Sequence, residues 1–169
     1  IGIYDKLKLH RLDDNKFDFY RFKNGKTFSV GQGYDSFTKE LYKEFPNEKE
    51  AIDKFCAKII EVCNYFPLYN LKLDSPNNYI NNPELLSLDA WDYVCSITDN
   101  IELRDVFLAN GALYAGEKNI TPFYVVALIT NSYIKGSYRF INGGSQIAIS
   151  LSRRLHDLGG KILKHKKVV

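Results

Sequence analysis

The strongest constraint in this chain is a single stripe. Ala51, Ile52, Phe55, Cys56, Ile59, Ile60, Cys63 and Phe66 recur three and four residues apart, the spacing that places side chains on one face of an α-helix. A stripe this wide needs a helix buried along one side and a chain able to cover it. Asn47, with Glu50 three residues later, has the pattern of a capping box ahead of it. Cys56 and Cys63 share the apolar face, which reads as core filling and not as a reactive pair.

The flanking segments supply that cover. Phe17, Phe19 and Phe22 alternate with polar residues, Asn24-Gly25 follows, and Thr27-Phe28-Ser29-Val30 resumes the alternation, which predicts a hairpin. Gly31-Gln32-Gly33 then leads into Tyr34, Phe37, Leu41 and Phe45, a second amphipathic helix stopped by Pro46. From Pro67 to Pro83 the residues are mostly Asn, Asp, Ser, Pro and Tyr without periodicity, the composition of a loop or lid. Two short helices are expected next, one on Leu85, Leu88, Trp91 and Cys95, the other capped by Asp99 with Glu102 and carrying Leu103, Val106 and Phe107. Thr121-Pro122 opens a further helix running to about Tyr133, and Gly136 ends it.

The last unit is a Gly-rich turn, Phe140 to Ser145, followed by a helix on Ile147, Leu151, Leu155 and Leu158. Gly159-Gly160 stops that helix and Lys161-Ile162-Leu163 reads as a strand. On this phase Leu151 and Leu155 are expected to be buried, with Arg153 and Arg154 in water. The fold class is therefore α+β, mostly helical, with a short β-hairpin or small antiparallel sheet. No internal repeat is evident.

Composition removes several classes of function. In 169 residues, 23 Lys+Arg stand against 20 Asp+Glu, and the only dense basic stretch, Lys161 to Lys167, starts by alternating with apolar residues. A nucleic-acid partner is not indicated. The longest apolar runs, such as Phe123 to Thr130, fall far short of the roughly 18 to 20 residues that span a bilayer. Three cysteines and no recognisable signal segment point to reduced thiols in the cytoplasm. His10, His156 and His165 are scattered, without metal-ligand spacing. The chain starts Ile1-Gly2-Ile3 and contains no Met, which suggests a piece of a longer protein.

Catalytic motifs are absent. Gly31-Gln32-Gly33 has two glycines of a dinucleotide fingerprint, but position 36 is Ser and no second strand with an acidic end follows, so phosphate binding there is rejected. No nucleophile elbow, Walker loop or carboxylate pair occurs. The N–H groups of Gly144 to Gln146 could face an anion or a cofactor edge, or the glycines could serve only a tight turn.

The stretch Tyr138-Arg139-Phe140-Ile141-Asn142-Gly143-Gly144-Ser145-Gln146-Ile147-Ala148, continuing through Leu155-His156-Asp157-Leu158-Gly159-Gly160-Lys161-Ile162 to Val168, resembles the end of the substrate domain in phytoene desaturase-like flavoproteins. That family includes carotenoid isomerases and all-trans-retinol saturases. The upstream order is also similar: an aromatic hairpin with Asn24-Gly25, then Gly33 before Phe37, then Leu41, Phe45-Pro46, a long helix, Gly116 and Pro122-Phe123-Tyr124.

The resemblance implies a substrate-domain fragment of a FAD/NAD(P)-binding, Rossmann-type flavoprotein. Residues 1–142 would form the substrate-binding cap, and 143–169 the Gly-Gly helix and strand returning toward a FAD-binding domain. It implies a parent enzyme that is a FAD-dependent oxidoreductase acting on carbon–carbon bonds of a polyene or lipid-like substrate. NAD(P) is open as electron partner, and so is peripheral membrane contact. It also implies that Gly143, Gly144 and Ser145 lie near the flavin junction and that Val168 borders the adenine. The isolated piece is expected to hold no FAD and to be inactive; no catalytic residue or metal is assigned. The aromatics crowded between Phe17 and Phe45, with Tyr65, Phe66, Tyr69 and Tyr79, suit either a long apolar substrate or ordinary core packing. The alternative is a non-enzymatic module for an apolar ligand or a helical partner.

Overall fold

A computed structural model describes residues 1–72 and 82–167. Its backbone divides into two units, Asp13–Ser137 and a second made of Ile1–Leu12 with Tyr138–Val169. The boundary read from the sequence after residue 142 concerns function and falls inside the second unit.

In the first unit, β2 (Asp18–Arg21) pairs antiparallel with β3 (Thr27–Val30), with Asp18 opposite Val30 and Arg21 opposite Thr27. The period-2 pattern turns Phe28 and Val30 into the core and leaves Phe19 exposed. The connecting turn is held by Gly25 at φ +84° and by Asn24, whose side chain accepts from the Lys26 N–H at 2.9 Å. Lys26 then reaches Glu102 at 3.3 Å and Glu44 at 3.6 Å.

Helices α1 (Tyr34–Glu44) and α2 (Lys49–Asn64) follow. Ile52, Phe55, Ile59 and Val62 of α2 are fully buried. Phe55 stacks on Phe107 with ring centroids 3.8 Å apart and meets Phe123 edge-on at 6.0 Å, so the predicted stripe is the centre of the core. It is narrower than the spacing suggested, because Ile60 is 44% exposed. The capping box also fails. The residue before α2 is Glu48, whose carboxylate accepts from the Thr98 hydroxyl at 2.7 Å, so the start of the helix is fixed by a tertiary contact.

Three helices, not two, follow residue 82: α3 (Pro83–Ser87), α4 (Ala90–Ile97) and α5 (Ile101–Leu108). The spacing from Leu85 to Cys95 is broken at Leu88-Asp89, because Phe123 N–H donates to the Leu88 carbonyl and Ala90 N–H to that of Thr121. Asp89 then caps α4 by accepting from Asp92 N–H at 3.0 Å. The cap of α5 is Asn100, accepting from Leu103 N–H at 3.1 Å, while Asp99 pairs with Arg104 at 2.9 Å. After a 3-10 turn, Ala109–Tyr114, helix α6 (Phe123–Lys135) runs between Pro122 and Gly136 as expected.

In the second unit, β1 (Leu9–Arg11) pairs antiparallel with β4 (Tyr138–Phe140), Leu9 opposite Phe140. Helix α7 (Ser145–Asp157) follows, and Gly159 leaves it at φ +80° while Gly160 N–H closes on the Leu155 carbonyl at 2.9 Å. Two expectations fail here. Leu151 and Leu155 are 38% and 42% exposed, and only Ser150 of α7 is buried. A two-stranded ribbon has too little surface to cover a helix face. Residues 161–167 form no strand, since a strand needs a hydrogen-bonded neighbour and none is present among the described residues. The architecture is mostly helical with small antiparallel pairs, an α+β arrangement.

Candidate functional site

The residues singled out by the sequence lie at the start of α7. Asn142 and Gly143 are both left-handed, at φ +67° and +91°, which reverses the chain after β4 and aims it into the helix. Gly144 is different. It has φ −76° and ψ −10°, and a Cβ built on it would meet only Phe140 Cδ2 at 3.9 Å. The demand for glycine therefore falls on position 143, and within this chain Gly144 is neither strained nor crowded.

Gln146 holds the turn, and sequence reasoning missed it. Its amide donates to the carbonyls of Ile141 at 2.8 Å and Gly143 at 2.9 Å, while its oxygen accepts from Lys8 N–H at 2.6 Å. One side chain thus ties β1 to the start of α7. No side chain caps α7, and the Ile147 N–H donates to the Gly144 carbonyl at 3.0 Å; an uncapped helix start is the kind of place where an outside acceptor can be met. Val168 lies outside the described residues.

Gly31-Gln32-Gly33 is occupied by the fold. Gln32 N–H donates to the Asp14 carbonyl at 2.7 Å and Gly33 N–H to that of Ile134 at 2.5 Å. A Cβ on Gly31 would lie 2.2 Å from Ser36 Oγ. Amides turned inward cannot cradle a phosphate.

An apolar groove of about 510 Å3 runs along α6 in the first unit, walled by Tyr69, Leu113, Tyr114, Leu128, Ile129 and Tyr133. Tyr114 also borders a smaller pocket of about 120 Å3 with Trp91, Leu108 and Val126, over which the Lys118 ammonium sits 4.0 Å from the Trp91 ring centre. One wall of the groove is fixed by hydrogen bonds. Tyr34 donates to Asn131 Oδ1 at 2.9 Å, Asn131 donates to the Tyr69 hydroxyl at 2.9 Å, and Tyr69 reaches the Leu128 carbonyl at 3.2 Å. Asn131 is 1% exposed. The readable signal for it was a polar run, Thr130-Asn131-Ser132, within a mostly apolar helix.

The aromatic set does not gather at this groove. Phe28, Phe37 and Phe45 are core residues, Tyr65 is exposed, Tyr69 lines the groove, and Tyr79 lies outside the described residues. Titratable groups offer little chemistry. Burial raises the Cys56 thiol to about 12 and the Cys63 thiol to about 11, so both stay protonated and unreactive at neutral pH. Burial likewise raises Tyr34. Among the described residues no group of three His, Cys, Asp or Glu could hold a metal ion, and no helix is long and apolar enough to cross a membrane.

A scan against protein-family models finds no match. The chain is 23% identical over 154 residues to the all-trans-retinol 13,14-reductase of Danio rerio, an alignment covering 83% of this chain and 25% of that protein. The chain thus spans about a quarter of the length of the curated relative it matches.

Proposed function

We propose that this chain is the substrate-facing part of a longer FAD-dependent oxidoreductase that moves a hydride between flavin and a carbon–carbon bond of a polyene or other lipid-like molecule. The observation that carries the reading is the similarity to a protein named for reducing all-trans-retinol at its 13,14 position, spread over most of this chain and not confined to one motif. The groove along α6 supports it, since its aromatic and aliphatic walls suit an extended apolar molecule.

The residues fit the edge of a flavin nucleotide but not its cradle. The opening turn of α7 has no side-chain cap next to Gly143, Gly144 and Ser145, while Ser36 fills the space beside Gly31 and the Gly33 N–H is spent on the Ile134 carbonyl. FAD, where bound, supplies the hydride acceptor or donor. The share of this chain is to orient the substrate and keep water from it, with Tyr69, Tyr114 and Tyr133 as the walls that do so. In this reading NAD(P) serves as electron partner, a membrane surface can deliver the substrate, and the three free cysteines suit the reducing cytoplasm. A second reading, a non-enzymatic apolar-ligand module, draws on the groove lying wholly within residues 13–137.

The protein made from the complete reading frame decides between them. The expected result is a yellow protein with stoichiometric flavin absorbance, bleached by dithionite and reoxidised by an added polyene. A colourless protein that binds the polyene would replace the enzyme by the module.

A further inference from the structure

Helix α6 buries two polar side chains, and only one of them is satisfied. Asn131 is held by Tyr34 and Tyr69. Thr130, 5% exposed, has a hydroxyl oxygen with no hydrogen-bond partner among the described residues. The usual remedy for a helical hydroxyl is the carbonyl four residues back. Thr38 takes it from Tyr34 at 2.8 Å and Ser132 takes it from Leu128 at 2.8 Å. Thr130 does not, and folded proteins rarely leave such a group unmet.

Thr130 borders a small cavity whose other walls include Tyr20, Asn110, Phe107, Tyr133 and Ile134. The space open to the centre of a water-sized sphere is about 10 Å3, the capacity of one water molecule and of nothing larger. Two further polar side chains, Tyr20 and Asn110, line it. The Tyr20 hydroxyl donates to Asn110 Oδ1 at 3.2 Å, a long bond that leaves the phenolic oxygen able to accept. Asn110 is itself buried.

We propose that this cavity is a specific site for one water molecule, bridging the Thr130 hydroxyl on α6 to the Tyr20–Asn110 pair on β2 and the 3-10 turn. Three polar side chains converge on the space, which meets the two to four partners that hold a buried water, and a purely apolar cavity of this size would stay empty. The site has a consequence for the groove. Tyr133 borders both spaces, so behind Tyr133 lies a hydrated pocket and not an extension of the apolar channel.

A high-resolution crystal structure of the 169-residue chain, with Thr130→Val and Thr130→Ser melted alongside it, tests this. The expected result is one ordered water within hydrogen-bond distance of Thr130 Oγ1 and of Tyr20 or Asn110. Thr130→Val, nearly the same shape, then lowers Tm by about 2–4 °C, and Thr130→Ser keeps the water. A dry cavity, or a Tm that rises in Thr130→Val because an unmet hydroxyl has been removed, would overturn the proposal. Should Thr130→Val fail to fold, the electron density of the parent chain decides alone.

Discussion

Helices α2 and α7 have the same kind of sequence and opposite fates. Each carries Leu, Ile, Val or Phe at helical spacing with charges opposite. In α2 the stripe is sealed against α6, α4 and α1; in α7 Ile147, Leu151, Leu155 and Leu158 all remain substantially exposed. Amphipathic spacing states which face of a helix gains from burial. It does not state whether the same stretch of chain supplies the surface that buries it.

The sharpest way to break that comparison is to remove a side chain from each stripe. Phe55→Ala loses two ring contacts in a fully buried position and should cost about 3–5 kcal/mol, read as a shift in the urea midpoint. If it instead unfolds no earlier than the parent chain, α2 is not the centre of the core.

The alkaline limb of stability comes next. Cys56 and Cys63 on α2 have folded pKa values raised from 9.0 to about 12 and about 11, and Tyr20 and Tyr93 are raised from 10.0 to about 12, mainly by burial. A raised folded pKa contributes stability that is complete below the unfolded value and lost as pH climbs through the folded one. The urea midpoint should therefore hold up to about pH 9 and fall between about 9 and 12. In the native state at pH 8, Ellman's reagent should reach half-exposed Cys95 well before Cys56 or Cys63. Equal labelling of all three would show α2 to be open.

Polar clips sharpen the same contrast. Asn131→Ala leaves Tyr34 and Tyr69 without their shared partner inside the first unit and should cost about 1–3 kcal/mol. Gln146→Ala cuts three hydrogen bonds, but at an exposed turn where water replaces them, and should cost about 0.5–1 kcal/mol. The smallest effect belongs to Leu155→Ala, about 0.5 kcal/mol for a residue already largely in water. A loss above 2 kcal/mol there, measured by the same midpoint, would mean that α7 is buried in solution.

How much was legible follows the range of the interaction involved. The hairpin, α1, α2 and α6 were readable because periodicity, Gly25, Pro46 and Gly136 act locally. The start of α2 was not, since Glu48 is fixed by Thr98 fifty residues away. The break between α3 and α4 comes from backbone bonds to Thr121 and Phe123, which no local pattern announces. At the candidate site, the glycines of the α7 turn were found, but which of them takes the positive φ, Gly143 and not Gly144, is set by the folded turn and not by the motif. Gln146, Asn131 and Thr130 were missed because a polar residue's importance depends on what it meets after folding. The pairing of β1 with β4 joins residues more than a hundred apart, beyond the reach of any windowed reading.

Native-state hydrogen exchange on the 169-residue chain tests the contrast most directly. The α2 amides of Ile59 and Val62 should exchange only through global unfolding, tracking its denaturant dependence, whereas those of Leu151 and Leu155 in α7 should exchange through local opening, faster by orders of magnitude and independent of urea at low concentration. Equal protection in the two helices would contradict the account, because it would require a buried face for α7 that the described residues do not provide.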